Sequence, residues 1–166
     1  MPETITRTDV LRGRFAGKKA EVRPPWARAE TAFTDTCQRG GDCLKACPEK
    51  IITSGGGGFP VVDFRRGACT FCGDCVKACR SGALTPPLSE DSRPWNLGAA
   101  IEPACLALAG VLCRLCEESC ESVAIRFRLV VGGGAVPDIE ATACTGCGAC
   151  VTACPSHAIV MREIRT

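Results

Sequence analysis

Apolar residues along this chain come in short bursts separated by glycine, proline and charge. Two stretches give the clearest pattern. Ile51-Ile52, then Gly55 to Gly58, then Pro60-Val61-Val62 read as strand, turn and return strand. Ala124 to Phe127, Gly132 to Gly134 and Val136 to Ile139 read the same way, so two β-hairpins are predicted. The most apolar run, Leu106 to Leu112, has only seven residues, far short of a membrane span. Pro24-Pro25 stops any helix from running through that point, and the region before about residue 30 predicts no regular element. Pro86, Pro87, Pro94 and Pro103, with Glu90 to Arg93, are expected to break regular structure between the hairpins.

Such a pattern leaves little material for a core. Of 166 residues only eight are aromatic, six Phe and two Trp, against 18 Gly and 11 Pro. Something besides bulky side chains must hold the interior together. The composition names it: 15 cysteines and a single histidine point to disulfides or to metal. Fifteen is odd, so disulfides would leave a thiol over. Met1 to Glu30 shows no apolar leader core, and Arg7, Arg12 and Arg14 are separated, so no twin arginine appears. A cytoplasmic location is therefore expected, and structural disulfides are rare there.

The cysteines form four groups. They are Cys37, Cys43 and Cys47; Cys69, Cys72, Cys75 and Cys79; Cys105, Cys113, Cys116 and Cys120; and Cys144, Cys147, Cys150 and Cys154. The second and fourth are C-x2-C-x2-C-x3-C, and the third is C-x7-C-x2-C-x3-C. Cys43 and Cys47 map onto Cys116 and Cys120 at an offset of 73, and the second group maps onto the fourth at 75. With the hairpins repeating as well, the chain is one module used twice. The expected organisation is an irregular arm over 1–35, module one over 36–83, a connector over 84–102 and module two over 103–166.

A zinc site typically takes two C-x2-C pairs and closes one tetrahedron. Here three cysteines at three-residue spacing wrap one cubane, while the fourth, on a short helix, turns to the other cluster of a two-cluster unit. Proline follows that fourth cysteine at Cys47-Pro48 and Cys154-Pro155, and Arg80 and Glu121 stand there in the other groups. The expected fold is therefore α+β, two bacterial two-4Fe–4S-ferredoxin-like modules in tandem. The crossover rule assigns Cys69, Cys72 and Cys75 with Cys47, and Cys37 and Cys43 with Cys79. In module two it assigns Cys144, Cys147 and Cys150 with Cys120, and Cys105, Cys113 and Cys116 with Cys154. One ligand is missing. Gly40 stands where the grid expects cysteine and aligns with Cys113. Three 4Fe–4S clusters are expected, plus a three-cysteine site holding 3Fe–4S or a labile 4Fe–4S. Asp42 is the nearest oxygen in sequence.

Other residues attract plainer readings. Leu106 to Leu112 is expected to pack on the core, the alternative being a lid over its cluster. His157 is expected at the surface, and Lys45, Lys77, Arg80 and Arg114 facing solvent. Gly55 to Gly58 and Gly132 to Gly134 are turns and not phosphate cradles, and no nucleophile–base set or dinucleotide motif appears, so no enzyme is expected. Formal charge is +2, with seven Lys/Arg against four Asp/Glu before residue 31, which does not describe a nucleic-acid binder. That basic stretch reads as a solvated tail, or alternatively as a docking arm. Each oxidised four-thiolate cluster adds roughly −2, so the loaded protein is acidic and suits a basic partner surface.

Arg23-Pro24-Pro25-Trp26 ahead of the first cysteines, Arg93-Pro94-Trp95 in the connector and the C-x7-C spacing of Cys105 and Cys113 resemble the NapF family. These are ferredoxin-type proteins of the periplasmic nitrate reductase system, and Gly40 departs from their usual grid. The resemblance implies an accessory protein in the cytoplasm. It would bind the molybdenum-containing catalytic subunit of the nitrate reductase before export and assist maturation of its iron–sulfur cluster. A multi-cluster electron carrier with a redox partner, and an electron-transfer subunit of a larger complex, are the competing functions.

Overall fold

The computed structural model describes residues 21–86 and 93–164. The basic residues up to Lys19, the expected lack of a leader, and Pro87 and Glu90 of the connector lie outside the described residues. Module one runs through helix α1 (Glu30–Thr36), α2 (Asp42–Ala46), strand β1 (Ile52–Ser54), a 3-10 turn (Gly56–Gly58), β2 (Pro60–Val62) and α3 (Asp74–Lys77). Module two runs through β3 (Leu97–Ile101), α4 (Leu115–Glu118), β4 (Ile125–Leu129), β5 (Ala135–Ile139), α5 (Ala149–Ala153) and β6 (Ile159–Glu163). Both expected hairpins form on their glycine runs, β1 with β2 and β4 with β5, each antiparallel.

Two expectations need correction. The arm 1–35 is not irregular to its end. Helix α1 lies within it, and Phe33 on that helix is 0 % exposed in the core of module one. Arg23 fastens the entry: it bonds Glu30 at 2.8 Å and lies over the rings of Phe33 and Phe59. The connector 84–102 is not free of regular structure either. Residues 97–101 form β3, which pairs antiparallel with the last strand, Leu97 opposite Glu163 and Ile101 opposite Ile159. Pro94 and Pro103 bracket this strand without interrupting its ladder, so they limit it and do not prevent it.

The repeat extends to these entries. Arg93-Pro94-Trp95 leads into β3, with Arg93 bonding the carbonyls of Ala141, Thr142 and Cys144. In module one, Arg23-Pro24-Pro25-Trp26 leads into a single bridge between Ala27 and Leu84, the remnant of the same strand pair. The modules meet along aromatic edges. Trp95 packs edge-on against Phe64 and Phe71, and Phe71 against Trp26, at centroid distances of 5.6, 5.7 and 6.5 Å. Half of the chain's scarce aromatics are thus spent at this junction, where Thr152 also donates to the Phe64 carbonyl. The cores on either side are small. That of module two contains Cys116, Cys150 and Cys154 with Ile125, Ala158 and Ile159.

Candidate iron–sulfur sites

Each cysteine loop is shaped by backbone before any ligand is considered. In the first, second and fourth groups the chain turns left-handed just before the second position, at Arg39 (φ 57°), Phe71 (54°) and Gly146 (79°). It does so again just after it, at Gly41 (76°), Gly73 (75°) and Gly148 (83°), and a short helix then begins. Glycine is the residue that takes this second turn without strain, and at Gly148 a Cβ would also lie 2.0 Å from Phe64. The third group differs: Arg114, with φ −135°, leads into α4.

A further left-handed residue follows each fourth cysteine, at Lys50, Gly82, Val123 and His157. The turn aims backbone N–H groups at sulfur. Leu84, Ala124 and Ala158 donate to the Sγ of Cys79, Cys120 and Cys154, each at 3.3 Å. The hydroxyls of Ser81, Ser122 and Ser156 lie 3.5–3.6 Å from the same sulfurs. Sequence reasoning overlooked these serines, although Cys-x-Ser recurs in three groups and Glu49 breaks it in the first. At Cys79 burial opposes the thiolate, but the Leu84 N–H, the Ser81 hydroxyl and the N–H groups of Ala83 and Gly82 outweigh it, so its pKa falls.

The sulfurs gather in sets. Cys47, Cys69, Cys72 and Cys75 line one cleft of about 350 Å³. Cys105, Cys113, Cys116 and Cys154 line a second, of about 340 Å³, walled by Leu106, Leu115 and Phe127. Burial pushes Cys150 up to about 12, with charge on Cys147, Cys144, Cys120 and Cys116 adding to it. Burial likewise pushes Cys43 up to about 11, with charge on Cys37 and Cys79 adding to it. In both clefts a cysteine from one group stands among those of another. Among the described residues no three such ligands converge on a single ion. They stand around cavities from several sides, the arrangement that a cluster with separate corners calls for.

An orphaned donor supports that fit. The indole N–H of Trp26, which lines the first cleft, is buried with no partner. Its counterpart Trp95 donates to the Thr145 carbonyl at 3.2 Å, an approach open because residue 146 is glycine; a Cβ there would lie 2.5 Å from the indole nitrogen. In module one Phe71 stands at that place, and Trp26 is turned edge-on to it. A buried N–H costs free energy unless it is bonded, and sulfur bound in the cleft would supply the acceptor.

The other singled-out residues divide. His157 is exposed and serves the turn after Cys154. Lys45, Lys77, Arg80 and Arg114 are exposed; Lys77 pairs with Asp74 and Arg114 with Glu117. The stretch Leu106 to Leu112 does not pack on the core as expected. Only Ala107 is buried, while Leu108 is 50 %, Val111 52 % and Leu112 90 % exposed. Between Cys105 and Cys113 the segment folds on itself, Val111 N–H to the Leu106 carbonyl at 2.9 Å. Leu106 alone of its leucines walls the cleft.

The two modules also touch at their cysteine loops, where the Cys69 N–H donates to the Cys147 carbonyl at 2.8 Å. The sets containing these cysteines therefore lie side by side. No helix among the described residues is long and apolar enough to cross a membrane.

Comparison with known proteins agrees with the duplicated architecture. Residues 27–84 and 111–163 each match a family model described as a 4Fe-4S dicluster domain. The Escherichia coli K12 ferredoxin-type protein NapF is 39 % identical over 154 residues, covering 93 % of this chain and 92 % of that protein. The Haemophilus influenzae NapF is 40 % identical over 173 residues, covering 98 % and 97 %. The E. coli ferredoxin-type protein NapG is 33 % identical over 151 residues, covering 80 % and 65 %.

Proposed function

Since this chain belongs to the NapF family of ferredoxin-type proteins, we propose that it is a cytoplasmic accessory protein that assists maturation of the nitrate reductase catalytic subunit. More coarsely, it is an iron–sulfur, ferredoxin-type protein of the nitrate reductase system. Its fifteen cysteines are the ligands. Cys47 with Cys69, Cys72 and Cys75, Cys120 with Cys144, Cys147 and Cys150, and Cys154 with Cys105, Cys113 and Cys116 hold three 4Fe–4S clusters. Cys37, Cys43 and Cys79 hold a fourth, of the 3Fe–4S or labile 4Fe–4S kind. Bound clusters supply one-electron chemistry; the protein carries no reaction of its own and acts by holding them and by docking.

The observation that carries this reading is the exposed apolar loop from Leu108 to Leu112 beside the Cys105 set. Apolar surface of this kind marks a contact with another protein, and here it would bring that partner to the edge of an iron–sulfur site. The partner is the molybdenum-containing catalytic subunit before its export. Immobilised holoprotein should retain that subunit from cytosol, and failure to retain it would end the proposal. Leu112→Asp should weaken the complex by roughly 2 kcal/mol or more, about 30-fold in Kd, with iron content unchanged.

A second reading, an electron carrier, is favoured by the Cys69–Cys147 contact, which offers a path from one module to the other. Its tuning can be tested at Trp26. Trp26→Phe removes one N–H donor to sulfur, worth roughly 0.5–1.5 kcal/mol. At one electron that is a fall of roughly 20–60 mV in one cluster's potential. Trp95→Phe should leave the potentials in place, because its N–H is already taken by Thr145. Protein-film voltammetry of both variants would check this.

A further inference from the structure

The loop around Gly40 keeps the backbone of a complete cluster loop although it lacks one thiol. Arg39 and Gly41 turn left-handed as Phe71 and Gly73 do, and α2 begins at Asp42 as α3 begins at Asp74. Gly40 itself is outside the left-handed region, and the nearest atom to a Cβ built on it is the Asp42 Oδ2, at 3.8 Å. The carboxylate thus stands beside the space that a ligand at position 40 would enter.

The second group shows what an aspartate at this position faces. Asp74 stands two positions after Cys72, the residue that supplies the thiol in that loop. Asp42 has the same relation to residue 40, where no thiol stands. Asp74 is also tied down, its Oδ1 2.9 Å from the Lys77 ammonium. Lys45 occupies the matching place after Asp42, yet among the described residues Asp42 makes no ion pair and no hydrogen bond. Carboxylate oxygen is a competent ligand for iron.

We propose that the Asp42 carboxylate is the fourth ligand of the Cys37, Cys43 and Cys79 site, closing it as a 4Fe–4S cluster with one oxygen-bound iron. This rests on the reading that the site holds a cluster at all. Oxygen is a harder donor than thiolate, so that iron leaves first, as Fe2+, and a one-electron oxidant such as ferricyanide then takes the remaining three-iron core to its oxidised 3Fe–4S form. Asp42 is exposed and at a helix start, so Asp42→Asn leaves the fold and the other three sites intact.

The test is Mössbauer and EPR spectroscopy of anaerobically purified holoprotein, with iron and sulfide counts. The wild type should show four iron–sulfur sites, with one iron of the fourth distinguished from the rest by an oxygen ligand in place of thiolate. Asp42→Asn should lose that iron and, after oxidation with ferricyanide, show an oxidised three-iron EPR signal raised several-fold, while Asp74→Asn, whose neighbour Cys72 supplies a thiol, should not. An equal three-iron signal in wild type and Asp42→Asn, or retention of the oxygen-bound iron in the variant, overturns the assignment of Asp42 but leaves the occupied site. Iron and sulfide for only three clusters in the wild type overturns both the assignment and the fourth cluster on which it rests.

Discussion

Gly40→Cys is expected to convert the fourth site into a four-thiolate site and to abolish its lability. The backbone is ready for the change. Gly40 does not use a left-handed conformation, so an L side chain fits without strain. A Cβ there meets nothing nearer than Asp42 at 3.8 Å, an ordinary contact. The flanking turns at Arg39 and Gly41 already match those around Cys72. Losing even an outer-shell partner typically costs roughly 10- to 100-fold in metal affinity, so gaining a direct thiolate should slow iron loss to a chelator by at least about tenfold. Any three-iron EPR signal should disappear from the aerobically handled protein. With the thiolate present Asp42 is no longer needed, and Gly40→Cys/Asp42→Asn should match Gly40→Cys alone. Unchanged iron loss in Gly40→Cys would show that the Cys37, Cys43 and Cys79 site does not hold a cluster in the way proposed.

Local chemistry explains which parts of the molecule could be read directly. The hairpins needed only glycine runs between apolar pairs, and the loops needed only cysteine spacing, because each signal lies within a few residues. Helix α1 was hidden because its worth comes from distant groups: Phe33 is buried against β-strand and aromatic residues, and Arg23 must reach Glu30 to hold the entry. Strand β3 was hidden because its partner, β6, is some 60 residues away and prolines stand on both sides. The exposure of Leu108, Val111 and Leu112 has a different origin. A run of seven apolar residues reads as core material, but Cys105 and Cys113 fix its ends, and that constraint decides where it can go. Trp26 and Trp95 sit in similar motifs, and a single difference, Phe71 against Gly146, leaves one indole N–H orphaned and the other bonded.

Stripping the iron should unfold module two before module one. The two modules share a plan, but most of the apolar core lies in module one, with Leu97 of β3 buried in it and Trp95, Val151 and Met161 packed against it. Module one buries Phe33, Ile51, Ile52, Val62, Phe64 and Leu84, a continuous apolar group in which Cys75 is the one buried thiol. Burying such side chains contributes roughly 1.5–3 kcal/mol each, whatever the metal does. In module two the corresponding group is Ile125, Ala158 and Ile159 with Cys116, Cys150 and Cys154, so half of its members are thiols. Without iron those thiols are small side chains facing emptied clefts, and the binding energy that had served as folding energy is gone. The hairpin β4–β5 then has little to pack against, since Leu129 is already 87 % exposed. Hydrogen exchange followed by mass spectrometry, after chelation under mild oxidation, would check the order. Amides of Ile125 to Leu129 should lose protection while those of α1 and of β1–β2 remain slow. Exchange of module one first, or of both modules together, would mean that the apolar core around Phe33 does not stand without its clusters, and that iron holds both halves of this chain equally.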